Sequence, residues 1–175
     1  MRLLTVPMST LTPFRIPVAD LMRRPGSSRA VHVEGPVAEL RGPGAEVPAE
    51  RAVVADLTLE HVSDGIVVRG TVAATWHAPC SRCLTDVDNE ISVHVDEMYE
   101  RHPLEGETYA LVDDIIDLEL LVRDALVLEL PAVPLCRDDC KGLCPTCGID
   151  RNAATCECRA AEPDPRWAPL RSLDL

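Results

Sequence analysis

The sequence predicts an α+β fold: an antiparallel β-meander or partly open, barrel-like sheet covered by one main helix, followed by a C-terminal cysteine-rich module. Three observations carry this expectation. Apolar and polar residues alternate with the strand period of two through most of residues 29–100, one later segment switches to helical spacing, and all apolar periodicity stops after Pro134. With 175 residues, 46% of them apolar, the chain is long enough for one core and an appendage. We expect residues 1–135 to form the sheet and its helix, and residues 136–175 to form the cysteine-rich module and a tail packed on it.

The elements follow in order. PVADLMRR is a short candidate helix ended by the turn signal Pro25-Gly26-Ser27-Ser28, and RAVHVEGPVAELRG reads as one or two short strands around Gly35-Pro36. AVVADLTLEHV and GIVVRGTVAATWHA then alternate regularly, with a hairpin turn expected at Ser63-Asp64-Gly65. DNEISVHVDEMYE adds a further strand in which Ile91, Val93, Val95 and Met98 are interspersed with acids. CSRCL lies before it, which places Cys80 and Cys83 at a hairpin tip. RHPLEGET, residues 101–108, reads as a loop. Asp117 is a suitable N-cap for LELLVRDALVLEL, where Leu118, Leu121, Val122, Ala125 and Leu126 recur at helical spacing until Pro131 stops it. Such a helix would cover the apolar face of the sheet and turn its acids outward.

Charge is distributed unevenly. The formal net charge is -12, and residues 84–135 hold 2 Lys/Arg against 14 Asp/Glu, so this middle segment accounts for the whole excess. Such a field repels phosphate backbones and attracts basic partners; a solvated acidic face would look the same from charge alone. The opening residues carry no apolar run of signal-peptide length, and IIDLELLVRDALVLELP is broken by acids and an arginine well short of the ~20 residues that span a bilayer. We therefore expect a soluble, cytoplasmic protein with no membrane partner.

In the reducing cytoplasm, eight cysteines point to metal binding or catalysis before structural disulfides. In CPTCG, two thiolates two residues apart can face one ion while backbone amides face their sulfurs, with Pro145 setting the turn and Gly148 permitting a positive φ. Zinc takes four such donors, so eight cysteines make two sets and two zinc ions. Cys144 and Cys147 pair naturally with Cys156 and Cys158 across GIDRNAAT, where Asn152 suits the returning turn. Cys80 and Cys83 are then left for Cys136 and Cys140, a site that would clip the hairpin tip to the end of the helix. A competing division joins Cys136, Cys140, Cys144 and Cys147 in one site and leaves Cys156 and Cys158 free. Either way the last forty residues, which lack the apolar surface to order themselves, need such a staple.

Other chemistries have weaker claims. Neither CSRC nor CPTC opens a helix in a βαβ setting, as a thioredoxin-like pair would. Four protein ligands per ion leave no open position for activated water, and no H-E-x-x-H, G-x-S-x-G or phosphate loop is present. We expect no enzyme activity and no small-molecule substrate. The five aromatics, Phe14, Trp76, Tyr99, Tyr109 and Trp167, are too scattered for a base-stacking platform, and Trp167 reads as a tail anchor. Arg137, Lys141 and Arg151 near the cysteines offer a limited contact with RNA phosphate or a partner.

CSRCL after a strand, the Asp- and Leu-rich helix, LELPAVPLCRDDCKGLCPTCGIDRNAATCEC and DPRWAPL together resemble the bacterial YceD family of large ribosomal RNA subunit accumulation proteins, and LMRRPGSSR fits its actinobacterial members. The resemblance runs from about residue 12 to 172. It implies a cytoplasmic factor in large-subunit biogenesis, supporting accumulation or processing of the large ribosomal RNA without an enzymatic reaction. It also implies the same cysteine grouping: Cys80 and Cys83 with Cys136 and Cys140, Cys144 and Cys147 with Cys156 and Cys158. The charge adds an expected partner, a basic ribosomal protein or assembly factor on a large-subunit precursor. The alternative is a thiol redox or zinc-handling protein that uses labile CxxC cysteines.

Overall fold

The computed structural model describes residues 13–63, 65–158 and Arg166. Its seven strands are β1 (Arg15–Pro17), β2 (Ser28–Gly35), β3 (Val53–Val62), β4 (Gly65–Pro79), β5 (Asp86–Glu100), β6 (Tyr109–Val112) and β7 (Ile115–Asp117), followed by helix α1 (Leu118–Glu129). They form one curled sheet, a half-barrel, in the order β1-β7-β6-β5-β4-β3-β2. Strands β2 to β5 are the antiparallel meander read from the alternation, paired from Ser28↔Glu60 through Val62↔Gly65 to Pro79↔Asp86.

The alternation works because one face of each strand is buried. Val53, Ala55, Leu57 and Leu59 of β3 and Ile66, Val68, Val72, Ala74 and Trp76 of β4 all point into the core. Between Val68 and Val72 stands Gly70, at φ +150°, where an added Cβ would lie 2.1 Å from the Asp56 carbonyl oxygen. Only glycine lets β3 approach this closely. The apolar interior is closed by α1, whose Leu118, Leu121, Val122 and Leu126 are buried against β5, β4 and β1. Each of these leucines contributes about 1.5–3 kcal/mol by leaving water. Asp117 is the N-cap, its carboxylate accepting from Glu119 N at 3.0 Å, and Leu130 leaves the helix in extended conformation just before Pro131.

Three features depart from the sequence expectation. PVADLMRR yields only one 3-10 turn, Leu21–Arg23, because Asp20 makes no cap bond and its carboxylate is held instead by Arg29 at 3.1 Å. Residues 109–117 form the hairpin β6–β7, turning at Asp113 and Asp114 with both φ positive, 52° and 55°. That turn lets β7 pair with β1 and brings the N-terminal segment to the sheet edge, where Phe14 O accepts from Leu118 N at 2.9 Å. Finally, β6 runs parallel to β5 for the two pairs Tyr99↔Tyr109 and Glu100↔Ala110, so the sheet is not antiparallel throughout.

No residue beyond Leu130 belongs to the main core among the described residues. A separate small cluster takes over, in which Cys80, Cys83 and Cys140 are packed by Val87, Leu135 and Leu143.

Candidate metal centre

The β4–β5 hairpin tip and the CPTCG turn fold in the same way. In the first, Cys80 N donates to Thr85 O at 2.8 Å and Leu84 N to Cys80 O at 2.9 Å; in the second, Cys144 N donates to Ile149 O at 2.8 Å and Gly148 N to Cys144 O at 2.9 Å. The residue four after the first cysteine has positive φ in both, 62° at Leu84 and 75° at Gly148. This repeated loop turns both thiols of a Cys-x2-Cys pair to one side with backbone amides behind them, the geometry of a zinc knuckle.

The chain then brings the remaining cysteines to these tips. Ser81 N donates to Pro134 O at 2.8 Å and Leu143 N to Arg82 O at 3.0 Å, while the Arg82 guanidinium reaches Cys140 O at 2.9 Å and Asp138 O at 3.2 Å. Gly142, at φ +69°, passes so close that a Cβ would stand 2.9 Å from Arg82 O. The result is two clusters, Cys80, Cys83, Cys136 and Cys140 in one and Cys144, Cys147, Cys156 and Cys158 in the other, each with all four Sγ atoms within 4.8 Å of one another. Zn–S bonds of about 2.3 Å in a regular tetrahedron place the sulfurs about 3.8 Å apart. Cys80 to Cys140 measures 3.9 Å and Cys83 to Cys136 measures 3.6 Å. The donor set therefore fits zinc in size and in softness, and both clusters could hold a metal ion.

The electrostatics call for a cation as well. Burial pushes the Cys80 thiol up, but N–H groups of Arg82, Cys83 and Cys136 outweigh it and bring the thiol down to about 6. Burial likewise opposes ionisation at Cys140, which is nonetheless lowered, with the Asn152 amide and the Gly142 N–H facing its sulfur. Cys136 is pushed up to about 12 by burial and by its neighbours Cys140, Cys83 and Cys80. In the second cluster the N–H groups of Cys147 and Thr146 hold Cys144 down to about 6, whereas Cys158 is pushed up to about 12, chiefly by Cys147. Sulfurs this close cannot all become thiolates on their own, since each charge opposes the next. An ion at the centre removes the conflict.

The two clusters differ in setting. In the first cluster Cys80, Cys83 and Cys140 are buried and Cys136 is exposed, whereas in the second only Cys144 is buried, Cys156 is half-buried, and Cys147 and Cys158 are exposed. Asn152 links them from the loop of the second cluster: its Nδ2 donates to Cys140 Sγ at 3.4 Å and to Asp150 Oδ1 at 2.7 Å, and its Oδ1 accepts from Lys141 N and Arg137 Nη2, both at 2.8 Å. Asn152 is expected from sequence only as a turn residue, so its reach to Cys140 is not visible there, and nothing but its place between the cysteines of CSRC singles out Arg82.

Of the cations expected to make contacts, Arg137 is engaged within the module, by Asn152 and by Asp139 at 3.1 Å. Lys141 and Arg151 are exposed and line a cleft of about 480 Å³ with Ala154, Thr155 and Cys156. Phe14, Trp76 and Tyr99 are buried in the core and unavailable for base stacking. Trp167, expected as a tail anchor, lies outside the described residues. His77 pairs with Asp88 at 3.1 Å and joins neither cluster. No helix among the described residues is long and apolar enough to cross a membrane.

A half-barrel sheet closed by one helix, with paired cysteine knuckles at its tip and tail, defines the class: an α+β protein carrying two four-cysteine clusters. The family described as large ribosomal RNA subunit accumulation protein YceD matches residues 68–174, and the chain belongs to that family. It is similar to an uncharacterized protein of Mycobacterium tuberculosis, 39% identical over 171 residues that cover 91% of this chain and 80% of the relative. It is also similar to the uncharacterized protein YlbN of Bacillus subtilis, 28% identical over 124 residues, 68% of this chain and 70% of the other. A shorter stretch of 58 residues is 36% identical to the chloroplastic YCED homolog 1 of Arabidopsis thaliana, over 33% of this chain and 18% of that one. No solved structure matches the chain.

Proposed function

We propose that this protein is a non-enzymatic, zinc-stapled factor of large ribosomal subunit biogenesis, which supports accumulation or processing of the large-subunit ribosomal RNA by holding a basic ribosomal protein or assembly partner. The family description supports the ribosomal setting, and one observation carries the zinc reading: eight thiols gathered in two sets of tetrahedral size. Bound zinc would supply a structural cross-link, with Cys80, Cys83, Cys136 and Cys140 on one ion and Cys144, Cys147, Cys156 and Cys158 on the other. Four thiolates close the coordination sphere, so the ions stabilise and do not activate water.

The chain's own residues then divide the work. Arg82, Asn152 and Arg137 position the returning segment 136–158 against the hairpin tip. The body, residues 13–135 as described, presents the acidic surface of β5, the 101–108 loop and α1 to a basic chain, in keeping with an excess of 14 acids over 2 bases in residues 84–135. Lys141 and Arg151, whose side chains have no ion pair among the described residues, offer a local contact for RNA phosphate, on the opposite charge logic. The protein acts in the cytoplasm in this reading.

Two measurements test it together. Native mass spectrometry is expected to find two zinc ions per chain. The protein is expected to co-sediment with large-subunit precursors, and reversal of several acids between Asp86 and Glu119 is expected to release it. A metal-free folded chain overturns the zinc half; absence from precursor particles, or retention after charge reversal, overturns the ribosomal or the electrostatic half.

A further inference from the structure

We infer that the cleft between the 103–110 segment and the outer face of α1 is the docking groove for an extended, arginine- or lysine-bearing segment of a protein partner. This rests on the proposed ribosomal role and gives its acidic surface a specific location. The cleft has a volume of about 520 Å³, within the range of clefts that hold ligands. Its floor and walls include Pro103, Tyr109 and Leu120, the last 53% exposed on a helix that buries Leu118, Leu121 and Leu126 toward the sheet. Glu97, Glu105, Glu107 and Asp124 stand around these apolar groups, and no cationic residue lines the cleft.

The carboxylates are available. Glu97, Glu105 and Glu107 have no ion pair among the described residues, while the two arginines of the acidic segment are taken, Arg101 by Asp114 and Arg123 by Glu119. Asp124 is oriented by the Tyr109 hydroxyl, which donates to it at 3.1 Å. Tyr109 is itself stacked on Tyr99 with ring centroids 5.1 Å apart. The loop wall is fixed by its own bonds: Leu104 N donates to Thr108 Oγ1 at 2.8 Å, and Thr108 Oγ1 donates to Glu100 at 2.7 Å. A preformed groove avoids an ordering cost on binding.

Charge and shape select the occupant. Phosphate is repelled by four acids, which excludes RNA. A single metal ion is a poor fit, because no three carboxylates converge within 4.8 Å among the described residues. Carboxylates spaced around apolar walls instead match cations spaced along a chain with apolar residues between them, and a planar guanidinium pairs well with such carboxylates.

The test uses the full-length zinc-loaded protein and a fluorescein-labelled 12-residue peptide that mixes Arg, Leu and Ser, followed by anisotropy at low salt. Each exposed ion pair is worth about a two- to five-fold change in affinity. The triple variant Glu97→Gln, Glu105→Gln, Glu107→Gln is therefore expected to bind about tenfold or more weakly, and Leu120→Arg similarly. A control with the same charge change, Glu34→Gln, Glu39→Gln, Glu50→Gln, is expected to stay within about twofold, and a peptide with Glu for Arg is expected not to bind. Equal weakening by both triple variants, or no weakening by the first, overturns the groove. Co-sedimentation separates this from the broader role: if the groove variant loses the peptide but stays on precursor particles, the groove is not the ribosomal contact. If the wild type binds the peptide but no precursor, the ribosomal role fails alone.

Discussion

Replacing Asn152 is the most informative single change, because its side chain makes three bonds across to the 137–141 segment of the first cluster and one to Asp150 in its own loop. Its bonds to Arg137 and Asp150 are made with groups that water can satisfy, so removing them costs little. The other two matter more. Lys141 N loses its acceptor at 2.8 Å, and Cys140 Sγ loses an N–H donor at 3.4 Å. A neutral hydrogen bond is worth about 1 kcal/mol net and one to a charged group about 1.5–3 kcal/mol. With the partial exposure of the site this gives about 2 kcal/mol for Asn152→Ala. Residues that orient metal ligands from outside typically alter affinity by about 10- to 100-fold, which agrees.

The loss is expected at Cys80, Cys83, Cys136 and Cys140 even though Asn152 belongs to the loop of the other cluster. Titration with a zinc chelator under pulsed alkylation, with modified peptides read by mass spectrometry, assigns release to each set of thiols. In Asn152→Ala the first cluster is expected to release zinc at about 10- to 100-fold lower chelator strength, and the second to change less. Asn152→Asp keeps the acceptor for Lys141 N but puts an anion in place of the N–H facing Cys140, so it is expected to weaken the first cluster as well. If Asn152→Ala leaves the first cluster protected to the wild-type chelator concentration, the coupling drawn from these bonds is wrong.

Other changes test the body and the knuckles. Leu126→Ala removes a fully buried side chain of α1 and is expected to cost about 2–5 kcal/mol in denaturant unfolding, whereas Leu128→Ala, 84% exposed, is expected to be nearly silent; similar effects would mean that α1 packs by another face. Leu84 is an exposed leucine at φ 62° where the second knuckle has glycine, so Leu84→Gly is expected to raise the melting temperature of the zinc-loaded protein slightly, by about 1 kcal/mol of relieved strain offset by glycine's entropy. Gly142→Ala, driven into Arg82 O, is expected to lower it. His32 sits 2.6 Å from Asp56, and that hydrogen bond raises its pKa above 6.5. Its contribution to stability is then fully present below pH 6.5 and lost as pH rises through the folded value, so His32→Gln is expected to flatten the melting-temperature profile across that window; an unchanged profile removes the pair from the account.

The sheet was legible because its signal is local and repeated. Strands β3 and β4 bury alternate residues, β2 and β5 half-bury or bury them over most of their length, and the period of two survives in the sequence. Helix α1 was legible for the same reason, with Asp117 and Pro131 marking its ends. The β6–β7 hairpin was hidden because Asp113-Asp114 lacks the glycine that usually announces a turn with two positive φ values, and because four- and three-residue strands are too short to display a period. The parallel contact between β5 and β6 follows from where the chain returns after residue 108, which no local pattern records. The cysteine spacings Cys80-x2-Cys83 and Cys144-x2-Cys147 announced the knuckles, but the meeting of Cys83 with Cys136 spans 53 residues and depends on the lengths of β5 and α1 between them.

That separation gives the two clusters different consequences under the proposed zinc loading. Closing a loop of about 53 residues removes about 4 kcal/mol of chain entropy from the unfolded state, and closing the 15 residues from Cys144 to Cys158 removes about 3 kcal/mol, by the relation used for covalent cross-links. The entropic gains are nearly equal, yet they act on different objects. The first cross-link joins the β4–β5 tip to the segment that leaves α1, so it holds elements that the main core already orders and extends their order through Val87, Leu135 and Leu143. The second encloses a loop with no residue in the main core, so its order depends on the ion and on Asn152 reaching back to Cys140. Lys141 and Arg151 lie between these two dependencies. A basic contact placed there is present only when both staples are closed, whereas the acidic groove beside α1 stands on the hydrophobic core and persists without them.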